Sequence, residues 1–556
     1  MVKHFRPVSN LPFVSKLIEK LVLDQLFRHF DHNNLWHTFQ SAYRPKHSTE
    51  TALLRVLNDL LSASDSGFIS ILTLLDLSAA FDTIDHSILL TRLENTFCIR
   101  DLALSFFRSY LQDRTHVVTE WNKIFSFTSD LLGPPGVRRR TNSLHSAHSA
   151  SVWWRSHHSV SHHIFADDTE LYKSDSPSEA FTLSRTIEAC ISDVKVWVVQ
   201  NKPVKRRQNW DSSYRLCSWN WSPFFCTAGS EWHLVSGAAC TLSVIFDSEL
   251  ALKEQVNKFC QLAYLEIRRI GSIRQYLSLV ATKTLVSSLV LSRLGYCNAL
   301  LAGSPQVLLD KIQRVINCSA HLIYKASKPA HIIPLLVDLH SLSTSSRIQY
   351  KIALTCFNII SGTAPPYLFE LLHLFSPSRS LRSASDIRIL CVPRVCRRTL
   401  AERSFQYIGP VIWNSLPFSI RHATSLSSFK PKLKTHLFSS AYWFITFFLL
   451  FPSNPWLICI FFFFFCGVCV GVCVCVCVCV CVCVCVCERA RVGVGVSVGG
   501  VCGWVWVCGS GMLICFVSAL CSHAMGRHKL PIIIIIISYF DGFVRKPPVL
   551  RSIAVL

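Results

Sequence analysis

Two strand-like runs end on carboxylates, and they restrict this chain more than any other feature. Ile69 to Leu75 (ISILTLL) is apolar, rich in strand-forming residues, and stops at Asp76. Further on, His162-His163-Ile164-Phe165-Ala166 leads into Asp167-Asp168, then Thr169-Glu170-Leu171-Tyr172. An Asp-Asp pair with apolar flanks reads as a tight hairpin between two strands. Adjacent carboxylates repel there and lose hydration, and a divalent cation removes that cost. A lone Asp-Asp is most often a solvated turn; Asp76 at the end of its own strand sets this pair apart. Together the three carboxylates can hold two Mg²⁺, which would activate a 3′-hydroxyl and stabilise a leaving pyrophosphate.

Composition must be read by position. The chain has 556 residues, a formal charge of +22 and 26 cysteines. Half the residues are apolar, which excludes a wholly disordered chain, and mean hydropathy is +0.35. Fifteen cysteines lie from Cys459 onward, ten of them between Cys466 and Cys487. Among the other 11, Cys391 and Cys396 alone are close enough for a zinc-ligand pair, and no second pair completes a site. The body therefore reads as intracellular with reduced thiols. Seven Lys/Arg and two Asp/Glu follow Ser440, so +17 of the charge belongs to the body. Met1 to Asn10 has no apolar core of a secretory signal. A basic body of this kind suggests a polyanionic partner, most commonly nucleic acid.

The tail reads as translated repeat DNA. Cys473 to Cys487 is a strict Cys-Val alternation, as a TG dinucleotide repeat would encode, and Phe461 to Phe465 matches a poly-T run. Val492 to Val498 and Ile532 to Ile537 fit further GT-rich and AT-rich repeats. Physically, Cys-Val alternation has the period of a β-strand. The 442–466 segment is long and apolar enough to span a bilayer, although Pro452 and Pro455 interrupt it.

Asp76 to Asp82 (DLSAAFD) and Phe165 to Asp168 (FADD) resemble motifs A and C of reverse transcriptases from non-LTR, LINE-type retrotransposons. The flanks agree: RPVSN at 6–10, FQSAYR at 39–44 with HSTET at 47–51, and SYLQDR at 109–114. Leu242 to Asp247 (LSVIFD) resembles the primer-grip region. SRLGYCNAL at 292–300 resembles vertebrate elements of the chicken-repeat type, and a weaker likeness runs through Ala364-Pro365-Pro366-Tyr367 to Phe438. The resemblance implies an RNA-directed DNA polymerase that takes an RNA template, a DNA primer and deoxynucleoside triphosphates, in nucleus or cytoplasm. It makes Asp76, Asp167 and Asp168 the catalytic, Mg²⁺-binding carboxylates. It puts Phe81 under the incoming sugar as a gate against a 2′-hydroxyl, and Arg44 on the triphosphate. The endonuclease of intact LINE elements is expected to be missing.

Two stretches depart from the family. Motif B should read PQGSVLGPxLF, but Gly133 to His145 reads GPPGVRRRTNSLH. Allowed codons for Pro135 to His145, shifted by one base, yield Gln-Gly-Ser-Val-Val-Gly-Pro-Ile-Leu-Phe-Ile. Pro203 to Trp210 (PVKRRQNW), shifted likewise, yields Leu-Leu-Asn-Asp-Asp-Lys-Thr, the family's motif D with its lysine. The 135–161 and 203–240 stretches are therefore expected to be out of frame, and the six histidines between His145 and His163 fall largely inside the first.

The expected fold is α+β: a right-hand polymerase with an antiparallel palm sheet, then a mostly helical thumb and C-terminal region. Fingers and palm would occupy 1–240, thumb and helical region 241–438, and an unstructured or artefactual tail 439–556. Helices are predicted at 252–270, 281–291 and 308–322 from apolar residues at i, i+3, i+4 spacing. Two other readings stand beside the polymerase. One is a retroelement-derived RNA-binding protein without turnover; the other is a membrane protein anchored by 442–466.

Overall fold

The structure, a computed structural model, describes residues 12–76, 86–112, 115–120, 123–128, 158–166, 168–201, 214–219, 225–228, 231–234, 238–327, 329–376, 388–450, 492–498, 501–508, 512–519 and 533–538. The chain divides into two units, 1–450 and 451–556.

The first unit is built on a four-stranded antiparallel sheet. Helices α1 (Phe13–His32) and α2 (Thr49–Asp65) precede β1 (Ile69–Asp76). Next come α3 (His86–Asn95), α4 (Asp101–Leu111) and a separate hairpin, β2 (Thr115–Glu120) with β3 (Lys123–Thr128). Strands β4 (Ser161–Phe165) and β5 (Asp168–Asp175) form the hairpin read from the Asp-Asp pair, and α5 (Ala180–Asn201) follows. Strand β6 (Tyr214–Trp219) completes the sheet in the order β4-β5-β1-β6. It falls inside the 203–240 stretch, as does a hairpin of β7 (Phe225–Ala228) and β8 (Glu231–Leu234).

The alternation along β1 sorts its side chains between two cores. Ile69, Ile71 and Leu75 pack with Leu171 of β5 and with Leu183, Ile187 and Ile191 of α5. Leu72 and Leu74 belong instead to a larger core with Tyr172 of β5 and the buried face of α2. Because β1 is covered on both sides, it is apolar nearly throughout. Helix α2 starts at a capping box: the Ser48 side chain accepts from the Thr51 amide at 3.1 Å, and Thr51 Oγ1 accepts from the Ser48 amide at 2.9 Å. A third core joins α1, α3 and α4 through Leu26, Phe30, Leu89, Phe97 and Phe107.

Past the sheet, a short hairpin of β9 (Ala238–Thr241) and β10 (Val244–Asp247) leads into helices. These are α6 (Lys253–Ile273), α7 (Leu279–Val286), α8 (Gln306–Tyr324), α9 (Ile332–Asp338), α10 (Thr344–Ile360) and α11 (Pro366–Phe369). Then come α12 (Phe405–Asn414) and α13 (Leu426–Leu450). The predicted helices at 252–270, 281–291 and 308–322 correspond to α6, to α7 with the π-turn Ser287–Leu291, and to α8. The core that holds Leu72 and Tyr172 continues without a break through these helices to Tyr442. The fold is thus α+β, with an antiparallel sheet and a mostly helical second half.

In the second unit the described residues form one antiparallel sheet of four consecutive strands. These are β11 (Val492–Val498), β12 (Val501–Cys508), β13 (Met512–Ala519) and β14 (Ile533–Ser538). Among the described residues no helix is long and apolar enough to cross a membrane, so the membrane reading is unsupported. Of the 442–466 segment, the part up to Leu450 ends α13, and 451–466 lies outside the described residues.

Candidate active site

The register of the sheet brings the two acidic signals together. Asp76, last in β1, is the direct partner of Asp168, first in β5. Phe165 opposes Asp168 across the β4–β5 hairpin, and Ala166 stands in the turn between them. Ala166 adopts φ 63°, a left-handed conformation that tight two-residue hairpin turns require and that an alanine resists by about 1–2 kcal/mol. Asp167 and Phe81 lie outside the described residues, and of Asp76 only the strand position is described.

Residues that face each other across an antiparallel pair share a face of the sheet, as do residues two apart on one strand. Asp76 and Asp168 therefore share a face with His163, Glu170, Tyr172, Leu72 and Leu74. Glu170 was quoted in the sequence only as a flank of Asp167-Asp168. It is 2% exposed, and its Oε1 accepts a hydrogen bond from Thr241 Oγ1 at 2.6 Å. Its Oε2 is buried with no hydrogen-bond partner. Burial pushes its carboxyl up to about 7, and the charge of Asp168 adds to that; the Thr241 hydroxyl opposes both. Its period-two offset from Asp168 was the sequence signal that could have found it.

His163 opposes Glu170 and is fully buried. Burial holds its imidazole well below the usual histidine range, with nearby histidines and Arg55 adding to the effect. Its Nε2 lies 2.8 Å from Ser41 Oγ. Ser41 belongs to a short segment that adds to the open edge of β4 in parallel. The Ser41 amide donates to the Ile164 carbonyl, and the Ile164 amide donates to the Phe39 carbonyl, both at 2.9 Å. The FQSAYR segment is thereby joined to the strand that leads toward Asp167-Asp168.

Arg44 closes that segment. Its Nη1 donates to the carbonyls of His37 at 2.8 Å and Gln40 at 3.0 Å, and its guanidinium stacks over Trp36 at 4.9 Å. Burial lowers its pKa to about 10, so it stays charged at neutral pH.

Strand β9, which carries Thr241, pairs with β10 through a turn at Leu242 and Ser243, whose φ angles are 46° and 64°. The turn is held from the helical side. Tyr296, within the SRLGYCNAL segment, donates to the Leu242 carbonyl at 2.7 Å, and Gln255 donates to the Ser243 carbonyl at 3.3 Å. Strand β9 is thus tied to the sheet face by Glu170, and the 242–247 segment, which resembles a primer grip, is tied to the helices by Tyr296.

Among the described residues no group of three or more His, Cys, Asp or Glu side chains is placed to hold a metal ion. Cys391 and Cys396 are exposed free thiols. The 129–157 segment, where motif B is expected, and the 202–213 segment, where motif D is expected, lie outside the described residues.

Comparison with known proteins bears on this face directly. Residues 2–209 match the family described as reverse transcriptase (RNA-dependent DNA polymerase). That stretch is a reverse transcriptase domain. Over 118 residues the chain is 31% identical to the RNA-directed DNA polymerase from mobile element jockey of Drosophila melanogaster, which covers 21% of this chain and 13% of that protein. Over 114 residues it is 30% identical to the probable RNA-directed DNA polymerase from transposon X-element of the same species, covering 20% of this chain and 12% of the other. The chain therefore spans only a small part of the length of these relatives. A telomerase structure from Candida albicans, in complex with a fragment of telomeric RNA, aligns with 59% of this chain and 58% of its own. Its identity is 12% and its TM-score 0.32.

Proposed function

We propose that this chain derives from the RNA-directed DNA polymerase of a LINE-type retrotransposon of the vertebrate chicken-repeat kind. Its chemistry is two-metal nucleotidyl transfer onto a DNA primer along an RNA template. The observation that carries this reading is the pairing of Asp76, at the end of the apolar strand β1, with Asp168, at the start of β5, inside the stretch that matches the reverse transcriptase family.

Asp76, Asp167 and Asp168 are the residues that would hold Mg²⁺. An all-oxygen donor set suits that hard cation. Two bound Mg²⁺ supply Lewis acidity at the primer 3′-oxygen and at the leaving pyrophosphate. The chain's own residues orient the reactants. By its place in the family's motif A, Phe81 would lie under the sugar of the incoming nucleotide and exclude a 2′-hydroxyl. Two carbonyls occupy the Nη1 donors of Arg44, so its contact with the triphosphate falls to Nε and Nη2.

The reading includes two lesions. The 135–161 and 203–240 stretches are out of frame, so this polypeptide lacks the Gln-Gly-Ser of motif B and the lysine of motif D. Motif B supports the templating pair and motif D supplies a proton to pyrophosphate. The chain as it stands is expected to bind an RNA–DNA hybrid but extend it no better than its Asp167→Ala variant. The charge of +17 ahead of the tail favours that retained binding. Primer extension on poly(rA)/oligo(dT) with Mg²⁺, run beside filter binding over a salt series, tests both parts. Absence of salt-sensitive hybrid binding would sink the reading.

A further inference from the structure

The polar side of α2 is stitched to the second half of the chain along its whole length. Glu50 accepts from the Ala299 amide at 3.0 Å and from Lys351 Nζ at 2.7 Å. Arg55 donates to the Tyr367 carbonyl at 2.6 Å and to Glu370 at 2.9 Å. Asn58 accepts from the Gln406 amide at 3.0 Å, and Gln406 donates to Ser62 at 2.9 Å. Asp65 accepts from the amides of Cys396 and Arg397. Residues 55, 58, 62 and 65 are three or four apart, so one face of α2 serves as the seam, and Glu50 adds to it at the start of the helix.

Tyr367 is the point at which this seam reaches the candidate site. It is 0% exposed. Its hydroxyl lies 2.9 Å from Ser41 Oγ and donates to Thr51 Oγ1 at 3.0 Å. Its ring meets His163 edge-on at 4.8 Å and stacks on Phe39 at 6.4 Å. One side chain thus touches the finger segment, the start of α2 and the strand leading to Asp167-Asp168. Ser41 links the first and the last, because it bonds to Tyr367 through Oγ, to His163 through Oγ and to Ile164 through its amide. Arg44 is held by the carbonyls of His37 and Gln40, so it moves with that segment.

We infer that Tyr367 is a positioning residue: through Ser41 it sets the finger segment 39–44 against the β4–β5 hairpin, so that the C-terminal helical region governs where Arg44 stands relative to the carboxylates. The consequence for nucleotide rests on the function proposed above; the coupling of the two segments does not.

Tyr367→Phe removes the hydroxyl and keeps the ring, and Ser41→Ala removes the partner. Hydrogen exchange in the full chain should show the Ser41 and Ile164 amides exchanging at least tenfold faster in Tyr367→Phe. The β1–β5 ladder around Thr73 and Leu171 should exchange at the unaltered rate. Adding Ser41→Ala should bring no further acceleration. The dissociation constant for a fluorescent dTTP analogue with Mg²⁺ should rise threefold or more in Tyr367→Phe, while affinity for the RNA–DNA hybrid stays the same. Unchanged exchange at Ser41 and Ile164, or equal acceleration in both ladders, overturns the inference. So does an unaltered nucleotide affinity in a chain that binds nucleotide. If the unaltered chain binds none, the proposed contact of Arg44 with the triphosphate falls, and exchange alone decides the positioning role.

Discussion

The two faces of the central sheet are made from the same strands and do different work. One face of β1 and β5 is closed by α5 through Ile71, Leu75, Leu171, Leu183 and Ile187, side chains that need only to fit. The other carries Asp168, Glu170, His163 and Tyr172, and is covered by α2 and the C-terminal helices partly through hydrogen bonds. Burying polar groups there gains nothing for stability that Leu or Val would not supply better. The residues on that face are explained by the carboxylates they surround, and the apolar face gives the rigidity that lets them stay.

That contrast can be broken from either side. The largest effect belongs to the apolar face. Leu171→Ala, at a fully buried position, should lower unfolding stability by about 2–5 kcal/mol in urea titration. It should leave the polar hydrogen bonds of the other face intact; a loss under 1 kcal/mol would mean that α5 does not close the sheet.

On the polar face, Thr241→Val removes the hydroxyl that donates to Glu170 and should cost about 1–3 kcal/mol. A neutral result would mean that the β9 hairpin is not tied to the central sheet.

The buried histidine gives a pH signature of known sign. His163 has a folded-state pKa held well below 6.5, so the unfolded chain takes up its proton first. Its contribution is complete above about 6.5 and is lost as pH falls toward the folded value. His47, lowered to about 4 mainly by burial, acts in the same direction between 6.5 and 4. Glu170, raised to about 7, acts the other way between 7 and 4.5, so the sign is read from the variant: relative to the original chain, His163→Gln should lose less stability as pH is lowered from 8 to 5. An unchanged slope would put His163 outside the buried network.

The smallest effect lies at the turn. Ala166→Gly relieves a left-handed alanine and should raise stability by about 1 kcal/mol. Destabilisation there would contradict the turn geometry.

Local signals in the sequence account for the site's frame but not for its cover. Apolar runs ending at Asp76 and flanking Asp167-Asp168 specify two strands and a hairpin, because strand pairing and a two-residue turn are short-range consequences of composition. The i, i+3, i+4 pattern likewise marks α6 and α8 to within a few residues. What covers the polar face is different. Arg55 meets Glu370 across 315 residues of chain, and no periodicity on either segment names the other. Glu170 was readable by its offset from Asp168, but its hydrogen bond from Thr241, 71 residues on, is one that only the fold brings near. Strand β6 lies in a stretch with no resemblance to the family, and it joins the sheet through backbone pairing with β1.

The central claim is that a two-metal polymerase site survives in this chain while two frame-shifted stretches keep it from working. The most direct test rebuilds 135–161 and 203–240 in the shifted frame from the nucleotide sequence. Primer extension on poly(rA)/oligo(dT) with Mg²⁺ is then measured for the original chain, the rebuilt chain and the rebuilt chain carrying Asp168→Asn. The expected result is extension by the rebuilt chain alone. Extension by the original chain at the rebuilt level, or extension that persists with Asp168→Asn, would contradict the claim.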